Sequence, residues 1–240
     1  MDSKAWIDHV FDNLDRWREL PAYQLERRAD IFFSLYLDDI VKSRFGRKPK
    51  HIIPEFPIRK DGSNLSKKMD YLAVMQDPPE LVFVELKTDP ASMGWPQIQY
   101  LLDAQSAQDG NNSALLDDLK NICPASRAKK KYARLVDELI VAQLVDRVGR
   151  GGFELRKDFP DPLRAMILYV HPCSERPLFL QHADPSGDKI RDIPFLEVAD
   201  MLEKQFADDF SLRFAQSLHR WAKASARHKQ CMGDKRGEDE

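Results

Sequence analysis

The segment from Leu81 to Lys87 ends in an acid and a base that a single residue separates. It reads Leu-Val-Phe-Val-Glu-Leu-Lys, an apolar run typical of a buried strand, with Glu85 and Lys87 at its end. Side chains alternate between the two faces of a strand, so we expect Glu85 and Lys87 on one face. A buried strand rarely holds charged residues unless they are paired or bind a metal ion. The pattern predicts a polar site at the end of this strand.

A second carboxylate, Asp70, precedes Glu85 with fourteen residues between them. If the segments around them form a hairpin closed by Asp77-Pro78-Pro79, Asp70 can lie beside Glu85. Two carboxylates facing one lysine form an oxygen-rich site that suits Mg²⁺, with Mn²⁺ as a substitute. A metal ion there would activate water for attack on a phosphoryl group. Lys87 would orient that water or offset the charge developing on phosphorus, so we expect chemistry on a phosphodiester.

The rest of the chain predicts the elements that would position these residues. Apolar residues at helical spacing predict a helix over 23–45, and Pro96 suits the first turn of another helix. Further helices are predicted at 114–121, 127–148 and 193–224, and strands at 51–59, 67–76, 80–87, 164–171 and 177–181. This order predicts an α/β protein, in which a mixed sheet is flanked by helices and additional helices follow at the C-terminal end.

The chain resembles the PD-(D/E)xK nuclease superfamily at two half-motifs and one helix, although no proline stands directly before Asp70. The matching residues are Met69, Asp70, Glu85, Leu86, Lys87, Thr88, Asp89, Gln97, Ile98, Gln99, Tyr100 and Leu101. The resemblance covers residues 23–105 and implies a restriction-endonuclease-like sheet with an αβββαβ core. It also implies that Gln97 and Tyr100 join the catalytic site, and that the carbonyl group of Leu86 binds the metal ion with Asp70 and Glu85.

In this superfamily an acid on the first helix often completes the metal site, and the sequence offers two. At about 100° per residue, Glu26 falls inside the apolar stripe of the helix, whereas Asp30 lies at its edge. A glutamate that faces a sheet is costly unless a partner awaits it, so we favour Glu26. Glu55 is a third candidate, and Pro54-Glu55 is an alternative first half-motif. The hairpin geometry favours Asp70 over Glu55.

The formal net charge of −2 predicts no polyanionic partner, so a nucleic-acid surface must come from local clustering. Five cations fall within the eight residues 127–134, and a lysine flanks Met69-Asp70. We expect this cluster to contact phosphates, with DNA as the expected partner and RNA as the alternative. The residues concerned are Lys68, Arg127, Lys129, Lys130, Lys131 and Arg134.

The sequence predicts a single domain over residues 1–224, with a helical insertion at about 112–148 and a disordered tail at 225–240. Neither a membrane span nor a signal peptide is predicted, so we expect a cytoplasmic location. The sequence does not decide whether the protein forms a homodimer. The expected function is that of a Mg²⁺-dependent nuclease acting on DNA. The rival is an inactive protein of the same fold that binds nucleic acid or serves as a scaffold.

Overall fold

A computed structural model describes residues 2–21, 23–59, 66–111, 113–149, 152–158 and 163–225. The helices are α1 (Ser3–Trp17), α2 (Leu25–Phe45), α3 (Trp95–Gly110), α4 (Ala114–Ala125), α5 (Lys129–Val141), α6 (Leu178–Ala183), α7 (Phe195–Gln205) and α8 (Asp209–Ser225). The strands are β1 (His51–Arg59), β2 (Ser66–Met75), β3 (Glu80–Leu86), β4 (Val145–Val148), β5 (Gly152–Leu155), β6 (Ala165–His171) and β7 (Ile190–Pro194). The predicted α/β class is confirmed.

Within the described chain, five strands form one sheet in the order β1-β2-β3-β6-β7, and β4 pairs with β5 in a separate hairpin. Strand β2 runs antiparallel to both β1 and β3. The backbone N–H of Leu81 donates to the carbonyl of Arg164, and that of Lys87 donates to Val170. Both pairs have the same sequence offset, so β3 and β6 run in the same direction. The sheet is therefore mixed, and helices flank it as the sequence predicts.

Strand β3 lies in the middle of the sheet, and its sequence explains why. Every residue from Leu81 to Thr88 is buried, as expected for a strand whose two faces are both covered. Its antiparallel register with β2 places Tyr71 opposite Val84 and Met75 opposite Glu80. The predicted β2–β3 hairpin is thus confirmed.

Strand β1 is at an edge of this sheet in the part of the chain that the structure describes. It contains Pro54 and Pro57, which have no backbone N–H, and prolines within sheets are characteristic of edge strands. Between them Glu55 adopts a positive φ of 54°, a conformation uncommon for residues other than glycine. The strand therefore combines two missing donors with a local break in the extended backbone.

The chain divides into two compact units, of which the first comprises Met1–Arg44, Leu86–Trp95 and Tyr169–Glu240. An aromatic cluster joins its helices: the ring centroid of Phe214 lies 5.7 Å from that of Phe11 and 5.2 Å from that of Phe33. All three rings are almost entirely buried. Aromatic pairs at these distances stabilise a core beyond the apolar area that they bury.

The second unit comprises Phe45–Glu85 and Pro96–Leu168. Within it, the buried Gln105 of α3 donates from Nε2 to the carbonyl of Ala165, with 2.7 Å between the atoms. The carboxylate of Asp109 accepts the backbone N–H of the same alanine at 3.0 Å. These bonds fix the helix that carries Gln97 and Tyr100 against the start of β6.

Three predicted elements differ from the structure in type or extent. The strand predicted at 177–181 is helix α6, which begins directly after Pro177, because proline suits a helix start. The helix predicted to reach residue 148 ends at Val141; Gln143 takes a positive φ of 56°, and β4 follows. The helix predicted at 193–224 is two helices, preceded by β7. Helix α1 was not predicted. Of the tail predicted at 225–240, Ser225 is the buried last residue of α8, and residues 226–240 lie outside the described residues.

Across the described ranges, no helix has both the length and the apolar character needed to cross a lipid bilayer.

The turn that leads into β7 depends on the buried carboxylate of Asp184. It accepts the backbone N–H groups of Lys189 at 2.9 Å and Ile190 at 2.7 Å. Burial acts to raise the pKa of Asp184, but the hydrogen bonds outweigh it and the pKa lies below its usual value. We expect Asp184→Asn to lower the free energy of unfolding near neutral pH by about 1–3 kcal/mol, measured by urea titration.

This loss should depend on pH in a defined direction. Because the folded-state pKa is depressed, the carboxylate stabilises the fold fully above the unfolded pKa of about 3.9, and the effect disappears as pH falls through the folded pKa. The difference between wild type and Asp184→Asn should therefore shrink in acid. Asp188→Asn, at an exposed position in the same turn, should change stability by less than about 0.5 kcal/mol. A difference independent of pH would contradict this account.

Candidate functional site

Asp70 and Glu85 lie on the neighbouring strands β2 and β3. Since Tyr71 is opposite Val84, the next row of the antiparallel register sets Asp70 opposite Glu85. Residues directly opposite each other share a face, with Cβ atoms about 4.5–5.5 Å apart. Asp70 is half-buried, and Glu85 is only 3% exposed. The hairpin thus sets both carboxylates side by side in one row.

The hydroxyl of Tyr100 on α3 contacts this row. It lies 3.1 Å from Oε2 of Glu85 and 3.1 Å from the carbonyl oxygen of Lys68. A hydroxyl has one hydrogen, so it donates to one of these oxygens at a time. The ring also carries the ammonium of Lys67, 4.7 Å from its centroid. Tyr100 therefore limits the orientations that the Glu85 carboxylate can take.

Gln97 lies one turn before Tyr100 and shares its helix face, as the spacing of three predicts. Its Oε1 atom is buried and finds no hydrogen-bond partner among the described residues. A buried acceptor without a donor is costly, and water or a ligand group is the usual remedy. Gln97 thus offers an acceptor that the described part of the protein does not use.

Lys87 directly follows β3, and its side chain is only 2% exposed. The ammonium donates to the carbonyl oxygen of Leu86 at 2.9 Å and approaches both carboxylate oxygens of Glu26 at 3.4 Å. Burying a cation is costly unless hydrogen bonds and an opposite charge compensate it. The contact with Glu26 provides both within the first unit.

The sequence offers two acids on the helix that is α2 in the structure, and Glu26 is the one favoured. Its carboxylate contacts the Lys87 ammonium. It lies in the first turn of α2, and its side chain is 34% exposed. An acid there is also stabilised by the helix dipole. Asp30, one turn further along, is half-buried. Glu26 therefore faces the lysine that the sequence assigns to the site.

Glu55, the alternative acid on β1, forms an ion pair with Lys68. Both side chains are mostly exposed, at 66% and 56%, and such surface pairs contribute little to stability. Glu55 lies between Pro54, opposite Tyr71, and Phe56, opposite Met69, and so falls at the level of Asp70. The rival half-motif and the phosphate-contacting lysine predicted from sequence are thus in contact on the surface.

The five predicted phosphate-binding cations lie at or near the start of α5, and all are exposed: Arg127, Lys129, Lys130, Lys131 and Arg134. None of them forms an ion pair with an acid in the described chain. Helix α5 has no acid in its first turn, and its N-cap Ala128 makes no side-chain capping bond. Cations at the positive end of a helix dipole are unfavourable, so this arrangement costs stability in the absence of an anion.

The structure also gathers a group that the sequence analysis missed. Asp200 and Glu203 on α7 and His219 on α8 place metal-ligating atoms within 4.8 Å of one another. His219 Nε2 lies 3.3 Å from Oε1 of Glu203. The pairing joins two helices, so residue spacing could not reveal it. Exposed acidic groups commonly gather without an ion, and we assign no function to this group.

No family model, curated protein or solved structure matches this chain. The fold and site geometry above, together with the half-motifs in the sequence, therefore carry the argument about function.

Removing the hydroxyl of Tyr100 tests whether it supports the Glu85 carboxylate. Because that carboxylate is almost fully buried, we expect Tyr100→Phe to lower the free energy of unfolding by about 1–3 kcal/mol. Tyr132→Phe is the matched control, since no side-chain hydrogen bond of Tyr132 is found within the described ranges. It should change stability by less than about 0.5 kcal/mol. Chemical denaturation measures both, and equal effects would show that Tyr100 contributes only its ring.

Proposed function

We propose that this protein is a metal-dependent nuclease that hydrolyses phosphodiester bonds, with DNA as its substrate and a restriction-endonuclease-like core. The observation that carries the proposal is the β2–β3 register, which sets Asp70 opposite Glu85. Lys87 follows Glu85 two positions later along the chain. The element order α2-β1-β2-β3-α3-β6 supports the αβββαβ core. RNA is the alternative substrate.

The donor set at this position fits Mg²⁺ or Mn²⁺. Carboxylate and carbonyl oxygens are the hard ligands that these ions take, and the Asp70–Glu85 row provides two carboxylates. A bound cation would also stabilise the buried Glu85 carboxylate, which Tyr100 contacts. The Leu86 carbonyl oxygen, which accepts from the Lys87 ammonium, would be a third ligand. A bound ion would supply Lewis acidity and lower the pKa of a coordinated water.

The side chains around this donor set have distinct tasks in the proposed reaction. The Lys87 ammonium has three hydrogens and would orient the attacking water or offset negative charge on the phosphoryl oxygens. Glu26 holds that ammonium in place. Tyr100 orients the Glu85 carboxylate, and Gln97 offers its buried Oε1 to a water or to the substrate.

The cations of α5 support a nucleic acid as the partner. Five exposed positive charges at or near the amino end of α5 oppose the helix dipole and destabilise the helix. Phosphates of a bound nucleic acid would neutralise these charges and remove the destabilisation. An isolated small phosphate ester would not need a track of this length. The formal net charge of the whole chain is −2, so acidic residues elsewhere outweigh these cations. The attraction for nucleic acid is therefore local to the start of α5.

The rival function, binding or scaffolding without cleavage, gives no reason for the buried charges at the end of β3. Replacing buried ionic groups by apolar residues is often neutral or stabilising. A protein that only binds nucleic acid would be served as well by an apolar strand end and an exposed basic surface. The burial of both Glu85 and Lys87 therefore favours catalysis.

The cleavage assay uses wild type and three variants, Asp70→Asn, Glu85→Gln and Lys87→Met. We expect Mg²⁺- or Mn²⁺-dependent cleavage of supercoiled or linear DNA by wild type, and rates at least about a hundredfold lower in each variant. EDTA should abolish cleavage. Glu55→Gln is the control, because its side chain lies on the exposed edge strand and should leave the rate unchanged.

Three outcomes would overturn parts of this proposal. Equal cleavage by wild type and the three site variants would exclude the site. DNA binding by wild type without cleavage of DNA or RNA, under any divalent ion, would favour the rival function. Loss of activity in Glu55→Gln with Asp70→Asn unaffected would move the first half-motif to Pro54-Glu55.

The α5 cations give a test in which stability and binding move in opposite directions. Lys129, Lys130 and Lys131 are replaced together by glutamine. The free energy of unfolding should rise by about 0.3–1 kcal/mol for each lysine replaced, because the helix dipole no longer opposes a positive charge there. The triple replacement should also weaken DNA binding and reduce its salt dependence by about 0.9 in log–log slope for each phosphate that the variant no longer neutralises.

The matched control is Lys223→Gln, in the last turn of α8, where a cation is favourable. This variant should lose a few tenths of a kcal/mol of stability and bind DNA as wild type does. Fluorescence anisotropy at several salt concentrations and thermal unfolding provide the two measurements. Unchanged DNA affinity and salt slope in the triple variant would remove α5 from the binding surface.

A further inference from the structure

A cavity of about 340 Å³ lies at the amino end of α2, within the first unit. Residues near the end of α1 and before α2, the first turn of α2 and residues that follow Lys87 line it. Arg18, Tyr23, Glu26, Arg27, Thr88 and Asp89 are among the lining residues. Ligand pockets commonly span about 300–1,000 Å³, so this cavity suits a small group.

Arg18 is a mostly buried cation without a full set of acceptors. Its side chain is 12% exposed, with Nε 3.4 Å from a carboxylate oxygen of Glu19. Its Nη1 atom is buried and has no hydrogen-bond partner among the described residues. Burial lowers the pKa of Arg18, while Glu19, Asp89 and Asp15 act in the opposite direction. A guanidinium stays charged in proteins, so Nη1 is a cationic donor that lacks an acceptor.

The other charges in the cavity favour an anion as the missing acceptor. The two carboxylates that line it are already engaged. Glu26 contacts the Lys87 ammonium, and Oδ1 of Asp89 accepts the backbone N–H of Ala91 at 2.9 Å. Arg27 adds a second, exposed cation. The first turn of the long helix α2 also forms part of the wall, and the first N–H groups of any helix have no partner within the helix.

We propose that this cavity binds a phosphate group of the nucleic acid beside the phosphate that is cleaved. Arg18 would donate from Nη1, and Arg27 would add charge at the mouth. Glu26 lines the cavity and also contacts Lys87, which is a residue of the proposed site. This inference rests on the proposed function, since it assigns the substrate of that site. The phosphate is either a strand terminus or an internal phosphodiester.

The test measures binding without cleavage. Labelled oligonucleotides with a 5′-phosphate, a 5′-hydroxyl or a 3′-phosphate are titrated in EDTA and followed by fluorescence anisotropy. We expect Arg18→Gln to weaken binding of at least one of them roughly ten- to hundredfold, the usual effect of losing a hydrogen bond between charged groups. Arg27→Gln, at an exposed position, should weaken binding roughly three- to tenfold without endangering the fold.

Arg16→Gln is the matched control, because Arg16 is exposed near the end of α1 and bonds to Asn13. Its affinity should stay within about twofold of wild type. Inorganic phosphate provides a second measurement: it should raise the unfolding temperature of wild type and of Arg16→Gln, and Arg27→Gln should need a roughly three- to tenfold higher phosphate concentration for the same rise. If Arg18→Gln fails to fold, Arg27→Gln and the phosphate titration decide the question.

The pattern of losses identifies the phosphate. An Arg18→Gln effect confined to 5′- or 3′-phosphorylated strands supports a terminal phosphate, and an equal effect on all three supports an internal phosphodiester. Wild-type affinity for every oligonucleotide in both Arg18→Gln and Arg27→Gln would overturn the proposal. Binding through Arg18 in a protein that never cleaves would refute the nuclease alone. Cleavage and binding that are both indifferent to Arg18 and Arg27 would refute the cavity alone.

Discussion

Burial of opposite charges at the end of the central strand is the constraint on which the candidate site depends. Strand β3 is covered on both faces, so Glu85 and Lys87 are withdrawn from water together with its apolar residues. Neither charge is tolerable there without compensation. Tyr100 reaches Glu85 from α3, and Glu26 reaches Lys87 from α2. Helices α2 and α3 therefore each provide a polar contact to a buried charge as well as apolar residues to the core. This combination distinguishes the end of β3 from an ordinary strand terminus.

The distribution of charge matters more than its sum. The formal net charge is slightly negative, yet positive groups occur in two contrasting settings. The cations of α5 are exposed and oppose their own helix dipole. The Lys87 side chain is buried and that of Arg18 mostly so, and each of these cations requires an oriented acceptor. The exposed set suits long-range attraction of a polyanion, which salt weakens. The buried pair suits short-range positioning of individual oxygens, which salt affects much less.

The hairpin with its charges was predictable because alternation and spacing are local properties of the sequence. The same holds for the face shared by Gln97 and Tyr100, and for the inward direction of Glu26. The place of Arg18 was not predictable, since it lines a cavity together with residues that follow β3, about seventy positions later. Short apolar stretches also misled: residues 177–181 fit a strand or a helix equally well until Pro177 selects a helix start. Contacts between distant segments leave no period in the sequence.

The break at Glu55 has a consequence for association between molecules. An exposed strand edge is a template on which another chain can extend a sheet. On β1, Pro54 and Pro57 both lack a backbone N–H, and since they are an odd number of residues apart, one of the two missing donors belongs to the open edge. The positive φ of Glu55 also bends the backbone between them. A second copy could not form a continuous ladder along such an edge. If the protein self-associates, extension of the sheet through β1 is therefore disfavoured. The same irregularity of β1 protects this edge of the sheet from pairing with strands of other molecules.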